Sequence, residues 1–245
     1  MRRVVFAMAA LALSCSSGGG TTDGGAGDGG GDGGAPTSFT QKGRVIDFTL
    51  KSGEPDATVT VGSTTAKTDA NGLYSIKVPA NQPFSFSLTG DMKIKLIEQE
   101  RILSGDVDQG DTNHVSVTTQ NLLKALITDY DPKLASLGVG VNKRGACASI
   151  DGVTVDLDPP QAAAKIRYFQ GGLPSMNPSG MEGQLPTAIV YNIDPSKPVR
   201  VKATHPTCKM VAYPVKDPDK PTLSYTGNVT VEAGDVTSYV RVWLE

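Results

Sequence analysis

The 245-residue chain carries 23 Lys and Arg against 25 Asp and Glu, a formal net charge of −2. That balance gives no support for a nucleic-acid partner, which calls for a basic patch. The length suits two small domains or one large β domain, and past the first residues no apolar run approaches the roughly 20 residues of a membrane-spanning helix.

Met1-Arg2-Arg3 is followed by an unbroken apolar run from Val4 to Leu13 and then by Ser14-Cys15. A basic start, a short apolar stretch and small residues before a cut follow the order of an export signal, and the run is too short to span a bilayer. Ending in Leu11-Ala12-Leu13-Ser14-Cys15, the segment resembles a bacterial lipoprotein signal, with Ala12 where that family most often has Leu. The resemblance implies that residues 1–14 are removed and that Cys15 becomes the lipid-bearing N-terminus, anchoring the protein to a membrane. No Asp follows Cys15 directly, which in Gram-negative lipoproteins is the pattern sent to the outer membrane. Residues 15–36 form the next unit. From Ser16 to Pro36 they are almost entirely Gly, Ser, Thr, Ala and Asp, too apolar-poor to repay chain entropy, and are expected to be a disordered tether. Such a tether holds the folded part roughly 25 Å from the lipid on average.

Residues 37–117 read as a β-sandwich. Val59 and Val61, then Tyr74, Ile76 and Val78, then Phe84, Phe86 and Leu88 recur at period two, so each set is expected to face a core. Between them lie a Pro-bounded turn at Pro79-Ala80-Asn81-Gln82-Pro83 and the turn Thr68-Asp69-Ala70-Asn71-Gly72. There the Asn71-Gly72 pair supplies the positive φ that a tight turn needs, and Asp69 an Asx-type hydrogen bond. Gly43-Arg44-Val45, Gly53-Glu54-Pro55-Asp56-Ala57-Thr58-Val59-Thr60-Val61, Thr68 to Ile76 and Val78-Pro79-Ala80 occur in one order and spacing that resembles the carboxypeptidase regulatory-like domain, a transthyretin-like β-sandwich. The resemblance covers about Gly43 to Gly90.

Residues 118–138 break the β pattern. Leu122, Leu123, Leu126, Ile127 and Tyr130 fall at helical spacing, Thr118 or Thr119 can cap the start, and Asp131-Pro132 interrupts the run, with Leu134 and Leu137 continuing the packing before Gly138. We expect a connecting helix whose apolar face seals the junction between two β modules.

Residues 139–245 return to β character. Gly152-Val153-Thr154-Val155, Ala188 to Tyr191, Val199 to Ala203 and Tyr239 to Trp243 are strand candidates, and their layout loosely echoes the first module. A second transthyretin-like or immunoglobulin-like sandwich is expected, without the T-D-x-x-G-x-Y hairpin. Gly171 to Gly183 is a long Gly/Pro/Met loop carrying Met176 and Met181, the kind of segment in which binding tends to reside. In the last strand Tyr239, Arg241 and Trp243 share one face and Val240, Val242 and Leu244 the other. The aromatic face can pack against the rest of the fold or form a platform for a sugar ring. Together with the loop it is the candidate ligand surface.

Cys147 and Cys208 remain once Cys15 is assigned to lipid, and in an oxidising compartment we read them as a disulfide. The rival is a metal site built on the H-x-x-C spacing of His205 and Cys208 with Cys147, which lacks a clear fourth ligand. Asp106-Val107-Asp108-Gln109-Gly110-Asp111 opens like a calcium loop, but its Gly falls one position early and no Glu closes it, so a polar hairpin turn is expected. Neither G-x-S-x-G nor H-E-x-x-H occurs, so neither a nucleophile-elbow hydrolase nor a zinc peptidase of that type is indicated. We expect no catalysis and no cofactor or metal. The sequence reads as an all-β, two-module cell-envelope lipoprotein acting as a binding or scaffolding protein for a protein or glycan ligand. A carbohydrate-binding lipoprotein and an accessory subunit of a surface peptidase or secretion assembly are the alternatives.

Overall fold

Period-two alternation yields the strands it predicts. A computed structural model of the chain describes residues 35–170, 173–176 and 187–245. The signal, Cys15 and nearly all of the proposed tether, together with most of the Gly171 to Gly183 loop including Met181, lie outside the described residues.

In chain order the first half contains β1 (Ser38–Asp47), β2 (Thr58–Val61), β3 (Thr64–Lys67), β4 (Leu73–Pro79), β5 (Phe84–Thr89), β6 (Lys95–Leu103) and β7 (Val107–His114), followed by helix α1 (Val117–Ala125). The second half contains β8 (Ala135–Lys143), β9 (Thr154–Asp158), β10 (Lys165–Gln170), β11 (Leu173–Ser175), β12 (Ala188–Ile193), β13 (Arg200–Thr204), β14 (Val215–Lys216), β15 (Leu223–Tyr225) and β16 (Val236–Leu244). The fold is thus all-β, with a single helix among the described residues.

Three sheets form. The largest runs β11-β10-β12-β8-β16-β6-β5-β2-β3, with the β14–β15 hairpin attached to β6. A three-stranded sheet, β4-β1-β7, and a two-stranded sheet, β13-β9, cover it. The two small sheets lie over opposite faces, as β16 shows. Val240, Val242 and Leu244 belong to one core with Leu137, Val139 and Val141 of β8 and with Val155, Leu157, Val201 and Ala203 of the β13-β9 sheet. Trp243 belongs to the other core with Phe86 and Leu88 of β5 and with Val45, Tyr74, Ile76 and Val78 of the β4-β1-β7 sheet. Successive strand residues point to opposite faces, so the large sheet changes its covered side at β16.

That arrangement corrects the division into consecutive modules. Val211, Val215, Leu223, Tyr225 and Trp243 lie in the chain beyond residue 139 yet pack into the first core. β16 pairs parallel with both β8 and β6, which joins the halves through backbone hydrogen bonds.

The helix is shorter than expected. It spans Val117–Ala125 rather than 118–138, and Ser116, not Thr118 or Thr119, caps it by accepting from the Thr119 N–H at 3.1 Å. Leu137 sits instead in the core as part of β8. Leu122 and Leu126 are exposed, whereas Leu123 is half-buried and Ile127, just past the helix, is buried, so only part of the expected apolar face packs. Two polar contacts also hold it, from Gln120 to Thr237 of β16 (3.3 Å) and from Lys124 to Asp235 just before that strand (3.3 Å).

The Asp69 turn forms as read. One Asp69 carboxylate oxygen accepts from Asn71 N–H (2.8 Å) and Leu73 N–H (2.9 Å), and Gly72 has φ +80°. A Cβ on Gly72 would meet the Val45 carbonyl oxygen at 2.2 Å, so only glycine fits both the φ and the approach. Thr68, one residue earlier, accepts from Ala57 N–H and donates to the Glu54 carbonyl, tying the Gly53 to Ala57 loop to the turn.

Candidate functional site

Cys147 and Cys208 form the disulfide, with their Cα atoms 5.5 Å apart, and this excludes the metal reading built on free thiolates. His205 Nδ1 accepts from the backbone N–H groups of Thr207 (3.2 Å) and Cys208 (3.0 Å), while Nε2 faces the Asp151 carbonyl at 2.8 Å. Both ring nitrogens are therefore held by backbone.

The Asp106 to Asp111 segment is also corrected, from a hairpin turn to the start of strand β7 running parallel to β1. The register breaks between Lys42 and Arg44, opposite Gly110 with φ +74°. Asp106 accepts from the Thr40 N–H at 2.7 Å and Asp108 from the Gly110 N–H at 2.8 Å, which gives these carboxylates a local backbone role.

The expected ligand surface is not assembled as read. Trp243 is only 4% exposed and stacks on Tyr225 with centroids 5.1 Å apart. The packing alternative holds for it because the valine face of β16 does not exhaust the strand's burial. Both faces are covered. The Tyr239 hydroxyl is likewise buried, and burial pushes its pKa up to about 12. Met176, at the end of β11, is exposed.

Beneath β16 lies a polar cluster that periodicity did not reveal. Phe84 and Phe86 of β5 pair with Arg101 and Glu98 of β6, two residues against the ends of a four-residue stretch. This bulge brings Glu98 and Arg101 to the same face as the two phenylalanines. Arg101 is fully buried and pairs with Glu98 and Gln109. Gln109 also donates to Glu98 at 3.0 Å, and Gln41 donates to Gln109 at 2.8 Å and to the Tyr74 hydroxyl at 3.2 Å. Burial raises the Glu98 pKa, but the charges of Arg101 and Arg241 outweigh it and leave the carboxyl below its ordinary value. The cluster cross-links β1, β4, β6 and β7 inside the first core, where it orders the sheets.

The open site is elsewhere. A cleft of about 340 Å³ lies between the large sheet and the β13-β9 sheet. Its apolar walls are Leu157, Ala164, Ile166 and Val190, and its polar groups are Asp156, Asp158, Gln161 and Lys202. On β9 the side chains of Val155 and Leu157 turn into the core while Asp156 and Asp158 turn out. Opposite them on β13 stand Lys202 and Arg200 in register. Gln161 uses its side-chain carbonyl on the Asp194 N–H at 2.8 Å, whereas its buried Nε2 has no partner among the described residues. Among the described residues β9 pairs with β13 alone, which leaves its other edge without a strand there. On that edge the Val155 N–H already donates to the Tyr168 hydroxyl at 2.9 Å. A second cleft, of about 350 Å³, borders the disulfide between Lys202 and Ala212. The T-V-D-L-D alternation of β9 was visible in the sequence, but nothing in it told which edge lacks a partner.

No family model and no curated protein matches the chain. Among solved structures, a mutant type II cohesin–X-dockerin complex from Acetivibrio cellulolyticus is 20% identical over 30% of this chain and 52% of that one, with a TM-score of 0.26. The Bacillus anthracis TIE protein is 11% identical over 85% of this chain and 34% of that one, with a TM-score of 0.27. The chain thus spans at most about half the length of these neighbours.

Breaking the buried pair tests the cluster. Arg101→Met leaves Glu98 without its bonded partner and is expected to cost about 3–5 kcal/mol. The double variant Arg101→Met/Glu98→Leu should recover part of that loss. Urea denaturation of the three proteins measures both.

Proposed function

We propose that the protein is a non-catalytic binding module of the cell envelope, and that its ligand is an extended peptide segment laid along the open edge of β9. The carrying observation is the cleft beside β9, where apolar walls meet charged groups and Gln161 presents a buried amide N–H with no partner among the described residues. Buried donors are almost always satisfied in folded proteins, and a backbone carbonyl of an added strand supplies the acceptor. Strand addition takes its affinity from main-chain hydrogen bonds and its specificity from alternate side chains. Here one apolar side chain would meet Ile166 and Val190, and a basic residue would meet Asp156 and Asp158, whose exposed side chains turn out from β9. A glycan ligand finds no aromatic face at Trp243, which is buried.

The regulatory-like reading of Gly43 to Gly90 and the lipid anchor at Cys15 complete the proposal. The Asp69 turn and the close approach of Gly53 to Asn71 support the first, and the order of residues before Cys15 supports the second. Under this reading the module is held at the outer membrane.

Peptides selected from a displayed random library against the full chain should bind wild type and lose tenfold or more, about 1.4 kcal/mol, with Ala164→Arg. Asp156→Lys/Asp158→Lys should weaken the basic peptides most. Unchanged binding to the Ala164→Arg protein, or selection of no peptide while a glycan array gives signal, contradicts the cleft reading. For the anchor, a fatty-acid label should enter the wild type in cells and be absent from Cys15→Ala.

A further inference from the structure

Two contacts fix the direction of the backbone groups on β9. Opposite residues of an antiparallel pair alternate between those that exchange both N–H···O bonds and those whose N–H and C=O point away from the partner strand. Val155 stands opposite Ala203. The Val155 N–H goes to the Tyr168 hydroxyl at 2.9 Å, and the Ala203 N–H leaves by the other edge for Met210 Sδ at 3.2 Å. That pair is therefore of the outward kind, and so, two residues on, is Leu157 opposite Val201. Thr154, Asp156 and Asp158 turn their backbone groups to β13 instead.

Along that outward edge only Leu157 offers both a donor and an acceptor. The N–H of Val155 is taken by Tyr168, and the next position of the same parity is Pro159, which has no N–H to give. An added strand is thus bounded at both ends and can close one full pair of hydrogen bonds, with Leu157. Side chains directly opposite each other across a pair share a face. The Leu157 side chain is buried on the side of Ile166 and Val190, while those of Asp156 and Asp158 turn out.

We propose that the cleft reads one short peptide pattern, an apolar residue with a basic residue on each side, and that Tyr168 and Pro159 set its register; this rests on the strand-addition reading of the same cleft. The apolar residue pairs antiparallel with Leu157, donating its N–H to the Leu157 carbonyl and accepting from the Leu157 N–H. Its side chain lies against Ile166 and Val190. The residues before and after it stand opposite Asp158 and Asp156, and their basic side chains share the outward face with those carboxylates. Two residues before the apolar one, a ligand carbonyl comes opposite Pro159, where a regular strand would offer an N–H. Gln161 lines the same cleft with a buried Nε2 that has no partner among the described residues, and it supplies the donor that proline lacks.

Amide exchange in the full chain and a synthetic peptide test the register separately from the cleft. Without ligand, the Val155 amide should exchange slowly and the Leu157 amide fast, and Tyr168→Phe, which keeps the ring, should speed Val155. The probe is a capped Gly-Ser-Arg-Val-Arg-Ser-Gly peptide. It should bind wild type, slow the Leu157 amide, and bind Ala164→Arg about tenfold or more weakly. A methyl on the backbone nitrogen of its Val should cost about tenfold or more, whereas one on either Arg nitrogen should leave binding nearly unchanged, because those N–H groups point away from β9. The frame-shifted Val-Arg-Val core should bind about tenfold more weakly. A peptide that is lost with Ala164→Arg yet tolerates the methyl on Val, or leaves the Leu157 amide fast, overturns the register while the cleft reading stands. The same holds if the Leu157 amide is already slow without ligand, or if library peptides of another pattern bind in place of the probe. If neither the probe nor any library peptide binds, both readings fall.

Discussion

The structure turns on the insertion of the last strand, β16, between β8 and β6. It runs parallel to both, and no short connection could bring it there, since parallel neighbours need long crossovers. Its side chains alternate between two cores: Val240, Val242 and Leu244 enter one and Trp243 the other. One strand therefore supplies backbone pairing across the middle of the large sheet and apolar volume on both of its faces. Neither core is complete until the C-terminal residues have docked.

The price of that insertion is local. β16 leaves β6 after Tyr239 opposite Glu98, and the β14–β15 hairpin takes over the same edge at Arg101. In the gap, the Arg241 N–H finds the side-chain carbonyl of Gln99 in place of a backbone partner. The β6 bulge turns Glu98 and Arg101 inward at the same place, and Gln109, Gln41 and Tyr74 satisfy them. Interior charges of this kind contribute little net stability against an apolar replacement, but removing one partner is expensive. At the far end of β7, His114 and Glu54 form another buried polar contact between a strand and its loops.

Much of the strand content was legible because burial on one face leaves period-two alternation: Val59 and Val61, Tyr74, Ile76 and Val78, and Phe84, Phe86 and Leu88 are all buried. The Asp69 turn was legible because its chemistry is local, and the disulfide because only two cysteines remain after Cys15. What failed was non-local. Leu122 and Leu126 have helical spacing yet are exposed, while the buried Gln120 bonds to Thr237 and Lys124 to Asp235. Val211, Val215, Leu223 and Tyr225 pack in the first core although they lie within the stretch of chain that builds the second, which alternation cannot report. Of the candidate site, the outward Asp156 and Asp158 follow from the β9 pattern, but the open edge beside them depends on which strands pair. Glu98 and Arg101 are three apart, a spacing that places them on opposite faces of a regular strand; only the bulge unites them.

The sharing of β16 is tested most directly by native-state hydrogen exchange on Trp243→Ala. Trp243 packs only in the first core, and removing such a side chain costs about 3–5 kcal/mol. If β16 makes the two cores one cooperative unit, the slowest amides of β8, at Val139 and Val141, lose the same opening free energy as those of β5, at Phe86 and Leu88. If only the β5 amides lose protection while β8 keeps its wild-type value, the cores open independently and β16 is not the joint between them.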